Sequence, residues 1–447
     1  MTDLAEPRRL ERPDGPVAPR FLAEVYEAAS LCNKCSLCQA VCPTYVVNPV
    51  EWETARGRVA LVRDAIEGRL ELSDIADGPL STCLTCNNCV AACAPAVPTA
   101  DIVTAARAEL HAQEGHSWGQ TLAFRALLPH PAMLRMLHRI SRAAQVTGLH
   151  RVARRTGLTR WLGAAGAFAD HAGPLPRDTA YKRARTLPRP DATPRGRIGF
   201  LVCCYQNLAA PEATEAAMRL LVDNGYELRV PELGCSGLPA RTLGDRDAML
   251  DMALRNVERL ESLDVDAFVG DVASCTGQMQ RYAELLGGDR VVGAAARRIG
   301  SRTTVLSGFL AREGMTARLG RLRWTVAVDE PCSLPLDVEA RSASYQLLRA
   351  VPGLRLVPLT EAAMCCGGPG TYFHDQPDRS DAVLARKFEN VVATKADVLV
   401  TENISCLLQL RAGARLYAPR LRVMHLAEVL LASIEAARRR EAVVRQD

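Results

Sequence analysis

Several common chemistries find no place in this sequence. No apolar run reaches the ~18 residues that a membrane-spanning helix needs, so no span is expected. No GxGxxG turn, P-loop or catalytic serine arrangement is present, and with them go the usual flavin, nicotinamide and nucleotide sites. The opening "MTDLAEPRRLERPDG" is charged throughout and lacks the apolar core of a signal peptide. A net charge of +5 on 447 residues is too small to argue for nucleic acid as a partner. The basic residues are uneven, however. The stretch from Arg135 to Arg195 is rich in arginine ("HRVARRTGLTR", "YKRARTLPRPDATPRGR"), and Arg438–Arg440 adds a basic tail. A solvated linker accounts for them; contact with a partner or an anionic membrane face is the alternative.

Cysteine is what the chain has in excess. There are sixteen, and eight fall between Cys32 and Cys93. With 48% hydrophobic residues the chain can bury a sizeable core in two to four domains. A secreted disulfide framework fits poorly with the charged opening. Tight cysteine clusters in a large chain of this kind point to metal instead.

The first cluster is "CNKCSLCQAVCP", with Cys32, Cys35, Cys38 and Cys42; the second is "CLTCNNCVAACAP", with Cys83, Cys86, Cys89 and Cys93. Both follow C-x2-C-x2-C-x3-C. Such short spacing wraps three thiolates around one four-iron cluster and sends the fourth to the neighbouring cluster. The expected pairing is therefore crossed. Cys32, Cys35, Cys38 and Cys93 hold one [4Fe-4S] cluster, and Cys83, Cys86, Cys89 and Cys42 hold the other. Zinc is the alternative, but it usually takes two CxxC pairs separated by a longer loop. Pro43 follows Cys42 directly, whereas Ala94 separates Cys93 from Pro95, so the local loop shape is expected to differ. The insert between the motifs has apolar residues at helical spacing (Val59, Leu61, Val62, Ile66) and Gly68 at its end. A second helix is expected in "TADIVTAARAELHAQEG".

The C-terminal half repeats itself. "RIGFLVCCYQ", "GYELRVPELGCSGLP" and "VDAFVGDVASCTGQM" are answered by "TVAVDEPCSL", "GLRLVPLTEAAMCCGGP" and "ADVLVTENISCLLQL". Each unit reads strand, cysteine, helix, glycine, strand, cysteine loop, strand, cysteine. Alternating strands and helices imply parallel sheets, with ligand loops at the carboxyl ends of the strands. That placement gathers Cys332, Cys365, Cys366 and Cys406, while Gly367, Gly368 and Gly370 let the backbone pass close to a ligand. The first unit keeps Cys204, Cys235 and Cys275, with Cys203 as a spare. Ser236 stands where the second unit has Cys366. His374 is read as a surface residue rather than a ligand or proton carrier, and His425 as packing in a C-terminal helix.

The two cysteine motifs with their intervening helices resemble the α-helical ferredoxin of respiratory dehydrogenases. The repeated C…CCG…C unit resembles the cysteine-rich domains of heterodisulfide reductase subunits. Over roughly residues 25 to 430 the chain resembles the iron–sulfur subunit family of bacterial glycolate oxidase (glycolate dehydrogenase). The lactate-utilisation iron–sulfur proteins and the small subunit of anaerobic glycerol-3-phosphate dehydrogenase are related. The resemblance implies an α+β multi-domain fold, with an N-terminal α-helical ferredoxin domain followed by a duplicated α/β cysteine-rich (CCG) domain. The expected divisions are a ferredoxin over 20–115, a helical and basic linker over 116–195, a degenerate first repeat over 196–320 and a second repeat over 321–435. It also implies a relay of single electrons from a flavoprotein partner that holds the FAD and oxidises glycolate or lactate. Membrane quinone is the implied acceptor, which places the chain in the cytoplasm at the inner face of the membrane. The second repeat keeps four thiols, suited to a third iron–sulfur cluster or to zinc. Cys204, Cys235 and Cys275 form either a ligand site or a decayed one. A catalytic subunit that cleaves a disulfide, as in heterodisulfide reductase, is the rival. Ser236 and Asn403 argue against it, because Asn403 stands where a terminal CxxC would begin.

Overall fold

The computed structural model describes residues 20–115, 117–156, 173–190, 193–334 and 338–444. Helices surround the N-terminal cysteines. Thr54 caps the helix Ala55–Ile66 by accepting a hydrogen bond from the Gly57 N–H at 3.0 Å. Past its end Gly68 takes a left-handed φ of 71°, which a side chain would resist. Val59 and Val62 on this helix are buried against Ile102 and Val103 of the helix Thr99–Glu114. Burying each valine contributes about 1.5–3 kcal/mol. Both expected helices are present, and Leu61 and Ile66 pack partly buried against the same core.

Two four-stranded parallel sheets follow. The first contains β1 (Gly196–Leu201), β2 (Tyr226–Arg229), β3 (Ala267–Gly270) and β4 (Thr303–Val305), in the order β2-β1-β3-β4. The second contains β5 (Thr325–Val328), β6 (Arg355–Leu356), β7 (Val398–Thr401) and β8 (Arg422–His425), in the order β6-β5-β7-β8. The register is regular: Gly196 pairs with Tyr226 and Ile198 with Ala267 in one sheet, Thr325 with Arg355 and Val326 with Val398 in the other. Six of these strands were legible in the sequence. β4 and β8, the edge strands of three and four residues that close each unit, were not.

The sheets share one core. Phe200 and Val269 of the first meet Val328 and Val400 of the second through Leu220 and Leu430. Leu220 lies on the helix Pro211–Asp223 and Leu430 on the helix Leu426–Val444. In each sheet the chain order reverses between the two central strands, and in open α/β sheets ligands bind at that point. It lies between β1 and β3, and again between β5 and β7.

The basic stretch is partly helical, over Pro131–Val146, Leu149–Arg155 and Ala180–Ala184. Its residues 157–172 and 191–192 lie outside the described residues. Arg183 pairs with Glu215 at 2.7 Å, and Arg438 of the tail with Asp223 at 2.8 Å.

Candidate metal centres

The two N-terminal cysteine loops are wound alike. Lys34 and Ser36 in the first, Thr85 and Asn87 in the second, all have positive φ, between 49° and 73°. They occupy the same places relative to Cys35 and Cys86. Non-glycine residues rarely take this conformation, and it clusters at functional sites. After the fourth cysteine the loops diverge, as the proline offset suggested. Pro43 opens a helix, Pro43–Val47, directly behind Cys42. Cys93 instead leads through Ala96, with a φ of 50°, into the helix that starts at Thr99.

Two recesses lie between these loops. Cys42, Cys83, Cys86 and Cys89 line one of about 350 Å³, counting space open to solvent, together with Arg58 and Thr99. Cys32, Cys35, Cys38 and Cys93 line a second of about 400 Å³, on the same measure, with Lys34, Arg56 and the edge of Cys89. Each recess thus combines three cysteines of one motif with Cys42 or Cys93 of the other, and Cys89 lines both. No three Cys, His, Asp or Glu side chains among the described residues already surround a single ion position. A cube of four irons takes thiolate ligands at four separate corners, and each recess has the four cysteines of one expected set in its lining.

Burial governs the chemistry of the first recess. Burial, and then the neighbouring Cys83, push the Cys89 thiol up to about 12; burial and then Cys332 raise Cys86. Such thiols keep their protons until a metal displaces them. Arg58 supplies the local positive charge. Its side chain is 2% exposed, and Nε donates to the Pro79 carbonyl at 2.7 Å. Nη2 donates to the Thr44 and Thr82 hydroxyls at 3.1 and 2.9 Å, and Nη1 reaches Cys42 Sγ at 3.7 Å. Burial acts to lower its pKa, but the Cys83 and Cys42 sulfurs outweigh this and the guanidinium stays charged. Arg58 was not anticipated from the sequence. Its only signal was a cation inside an amphipathic helix between two thiol motifs.

The second repeat closes over this recess. Tyr372 donates to the Thr82 carbonyl at 3.0 Å, and Asn88 to the Ala363 carbonyl at 2.9 Å. Cys86 and Cys332 pack in one apolar cluster with Cys365 and Leu84. From Cys332 the thiols run on to Cys365, Cys366 and Cys406. The neighbouring Cys365 and then Cys406 thiols hold the Cys366 thiol well below the ordinary range. A buried ion pair anchors the loop: Lys387 Nζ lies 2.7 Å from Asp329 and donates to the Ala362 and Met364 carbonyls at 2.6 and 3.0 Å.

The first repeat gathers Cys204, Cys235 and Cys275, and Cys203 lies among them. It lies between Cys204 and Cys275, with Cys275 donating to its sulfur at 3.4 Å. The Cys204 thiol and then the Cys275 thiol hold its thiol low, as Cys365 and Cys406 do for Cys366. Asn403 joins the repeats. Its Oδ1 accepts from the Ser274 N–H and hydroxyl at 3.2 and 2.7 Å, and its Nδ2 donates to Cys406 Sγ at 3.7 Å.

The two histidines fall outside these sites. His374 is exposed, in the short helix Tyr372–Asp375. His425 does not lie in the C-terminal helix as expected; it ends β8. Fully buried, it contacts the Asp271 carbonyl through Nε2 at 2.7 Å and accepts from the Ala427 N–H through Nδ1 at 3.1 Å. These partners fix a neutral imidazole protonated on Nε2.

Comparison with known proteins agrees with this architecture. Residues 28–97 match a family model described as a 4Fe-4S dicluster domain, and residues 198–280 and 326–411 match one described as a cysteine-rich domain. Residues 115–169 match the linker region of the glycolate oxidase iron–sulfur subunit. The probable glycolate oxidase iron–sulfur subunit of Bacillus subtilis (strain 168) is 27% identical over 90% of this chain and 93% of its own length. The glycolate oxidase iron–sulfur subunit of Escherichia coli (strain K12) is 24% identical over 88% of this chain and 93% of its own. The chain belongs to the glycolate oxidase iron–sulfur subunit family. Lactate utilization protein A of Geobacillus kaustophilus (strain HTA426) is also similar, at 30% identity over 52% of this chain and 98% of its own length. The family's linker lies over the basic helices, and its dicluster and cysteine-rich regions carry all sixteen cysteines.

Proposed function

We propose that this chain is the electron-transfer subunit of a flavin-dependent 2-hydroxyacid dehydrogenase, with glycolate as substrate and lactate as the alternative. The FAD belongs to a partner subunit, which takes two electrons from the substrate. The observation that carries the reading is the pair of recesses: Cys83, Cys86, Cys89 and Cys42 line one, Cys32, Cys35, Cys38 and Cys93 line the other, and Cys89 lies at both. Cys32, Cys35, Cys38 and Cys93 hold one [4Fe-4S] cluster; Cys83, Cys86, Cys89 and Cys42 hold the second. Clusters bound there supply one-electron redox chemistry. The chain's own groups orient and tune them: left-handed turns aim the thiols, and Arg58 balances their negative charge. Cys332, Cys365, Cys366 and Cys406 hold a third centre, iron–sulfur or zinc, as four soft thiolates can.

Membrane quinone is the proposed acceptor, reached from the cytoplasmic face. No helix among the described residues is long and apolar enough to cross a membrane. What supports attachment at the surface is the helix Pro131–Val146, where Met136, Leu137 and Ile140 (59% exposed) lie beside exposed Arg139. An exposed apolar face with basic flanks suits an anionic lipid surface.

The test is reduction by substrate. With the FAD-containing partner present, glycolate should bleach the visible absorbance of this chain anaerobically. The isolated, flavin-free chain should show no reduction and no turnover with an artificial acceptor. Turnover by the isolated chain would overturn the proposal.

A further inference from the structure

Matched by register, the two repeats place Cys204 with Cys332, Cys235 with Cys365, Ser236 with Cys366 and Cys275 with Cys406. The residue before Cys332 is Pro331; the residue before Cys204 is Cys203. In the second repeat Cys366 and Cys406 are buried in one apolar cluster. In the first, the sulfur that touches Cys275 is Cys203, at 3.4 Å. Cys365 packs with Cys332 and Cys366 with Cys406 in one repeat; Cys235 packs with Cys204 and Cys203 with Cys275 in the other. The fourth sulfur has moved in sequence and been regained in space.

The surroundings are those of a held site. Cys203 and Cys204 follow β1 and Cys275 follows β3, so they flank the point where the strand order reverses. The loop bearing Cys235 is fixed on three sides. Its N–H donates to the Leu128 carbonyl at 2.8 Å, its carbonyl accepts from Asn256 at 2.9 Å, and the Ser236 carbonyl accepts from Tyr282 at 3.0 Å. The Ser236 hydroxyl is buried beside Cys275 without a well-formed hydrogen bond to any group. A buried hydroxyl left so is costly.

We infer that the first repeat holds its own thiolate-bound metal centre, ligated by Cys203, Cys204, Cys235 and Cys275, with Cys203 supplying the sulfur that Ser236 lacks. Four cysteine sulfurs suit a soft centre, zinc or iron–sulfur. The sulfurs form a chain rather than a closed shell, so rotation of the side chains about χ1 completes the site. Nothing here depends on the substrate or partner proposed above.

The test uses the anaerobically purified full chain. Metal and sulfide are quantified, and each cysteine is mapped by native alkylation and mass spectrometry, before and after a chelator. In the wild type these four thiols should resist alkylation until the chelator is added. Cys203→Ala should lower bound metal by the content of one centre and leave Cys204, Cys235 and Cys275 reactive without chelator. Ser236→Cys in the Cys203→Ala background should restore both. Unchanged metal and protection in Cys203→Ala overturns the inference. Should that variant fail to fold, the wild type decides: alkylation of the four thiols without a chelator, or protection that a chelator does not remove, overturns it. The EPR signals of the N-terminal clusters, recorded on the same samples, separate failure of this inference from failure of the function proposed above.

Discussion

The recess of Cys42, Cys83, Cys86 and Cys89 and that of Cys32, Cys35, Cys38 and Cys93 are wound by the same left-handed turns, yet they meet different surroundings. The first lies under the second repeat, beside Cys332, with buried Arg58 in its wall. The second opens at the surface, where Cys35 is exposed and Leu31 and Leu37 are 52% and 55% exposed. Identical ligand spacing therefore produces two unlike electrostatic sites. Cluster properties follow burial, charge and hydrogen bonding around the sulfurs, and only the ligand count follows from the motif.

The largest expected effect tests the crossing itself. Cys42→Ala should cost the buried cluster, about four of the roughly eight irons in the N-terminal part, and spare the surface one. Cys93→Ala should do the reverse. Iron analysis with EPR of each variant measures it; loss of the surface cluster in Cys42→Ala would mean that each motif fills its own site.

Arg58 gives the next effect. Arg58→Met should lower the reduction potential of the buried cluster alone, because a positive charge favours the more negative reduced state. Arg58→Lys should restore part of the shift. Met also strips hydrogen bonds from Thr44, Thr82 and the Pro79 carbonyl, at about 1–3 kcal/mol for each group left unpaired. A redox titration followed by EPR reads the potential, and a thermal melt reads the stability. Equal shifts in both clusters would erase the contrast drawn between the recesses.

A smaller difference should appear in lability. On exposure to air or a chelator, the surface cluster should be lost first, with its EPR signal decaying ahead of the other. Simultaneous loss would mean that the second repeat shields nothing.

The smallest effect is on pH dependence. Burial, against the hydrogen bond to Asp271, holds His425 at about 4, below its ordinary 6.5. The folded state thus disfavours the proton, so the contribution of His425 is complete above about 6.5 and falls as pH drops towards 4. Burial raises Glu402 to about 7, so its contribution declines as pH rises from its ordinary value towards 7. Melting temperatures of the wild type and His425→Gln across this range check the acid limb, which the substitution should flatten.

Much of this architecture was legible in the sequence because cysteine spacing and strand–helix alternation are local signals. The eight N-terminal cysteines, two long helices and six strands read directly. What escaped depends on space. Cys203 read as a spare because register matched it to Pro331, and only the folded chain sets it against Cys275. The cluster that packs Cys86 and Cys332 together joins residues that no periodicity connects. Asn403 read as a lost ligand, yet it bridges the repeats from Ser274 to Cys406. His425 read as helix packing because its neighbours are apolar, and the Asp271 carbonyl it holds lies 154 residues away.

Low-temperature EPR of the anaerobically purified, reduced full chain tests the central claim most directly. Two four-iron clusters in adjacent recesses should give broadened, magnetically interacting signals on one-electron reduction of each. Full metal occupancy of these eight cysteines by zinc, with no such signals, would contradict it.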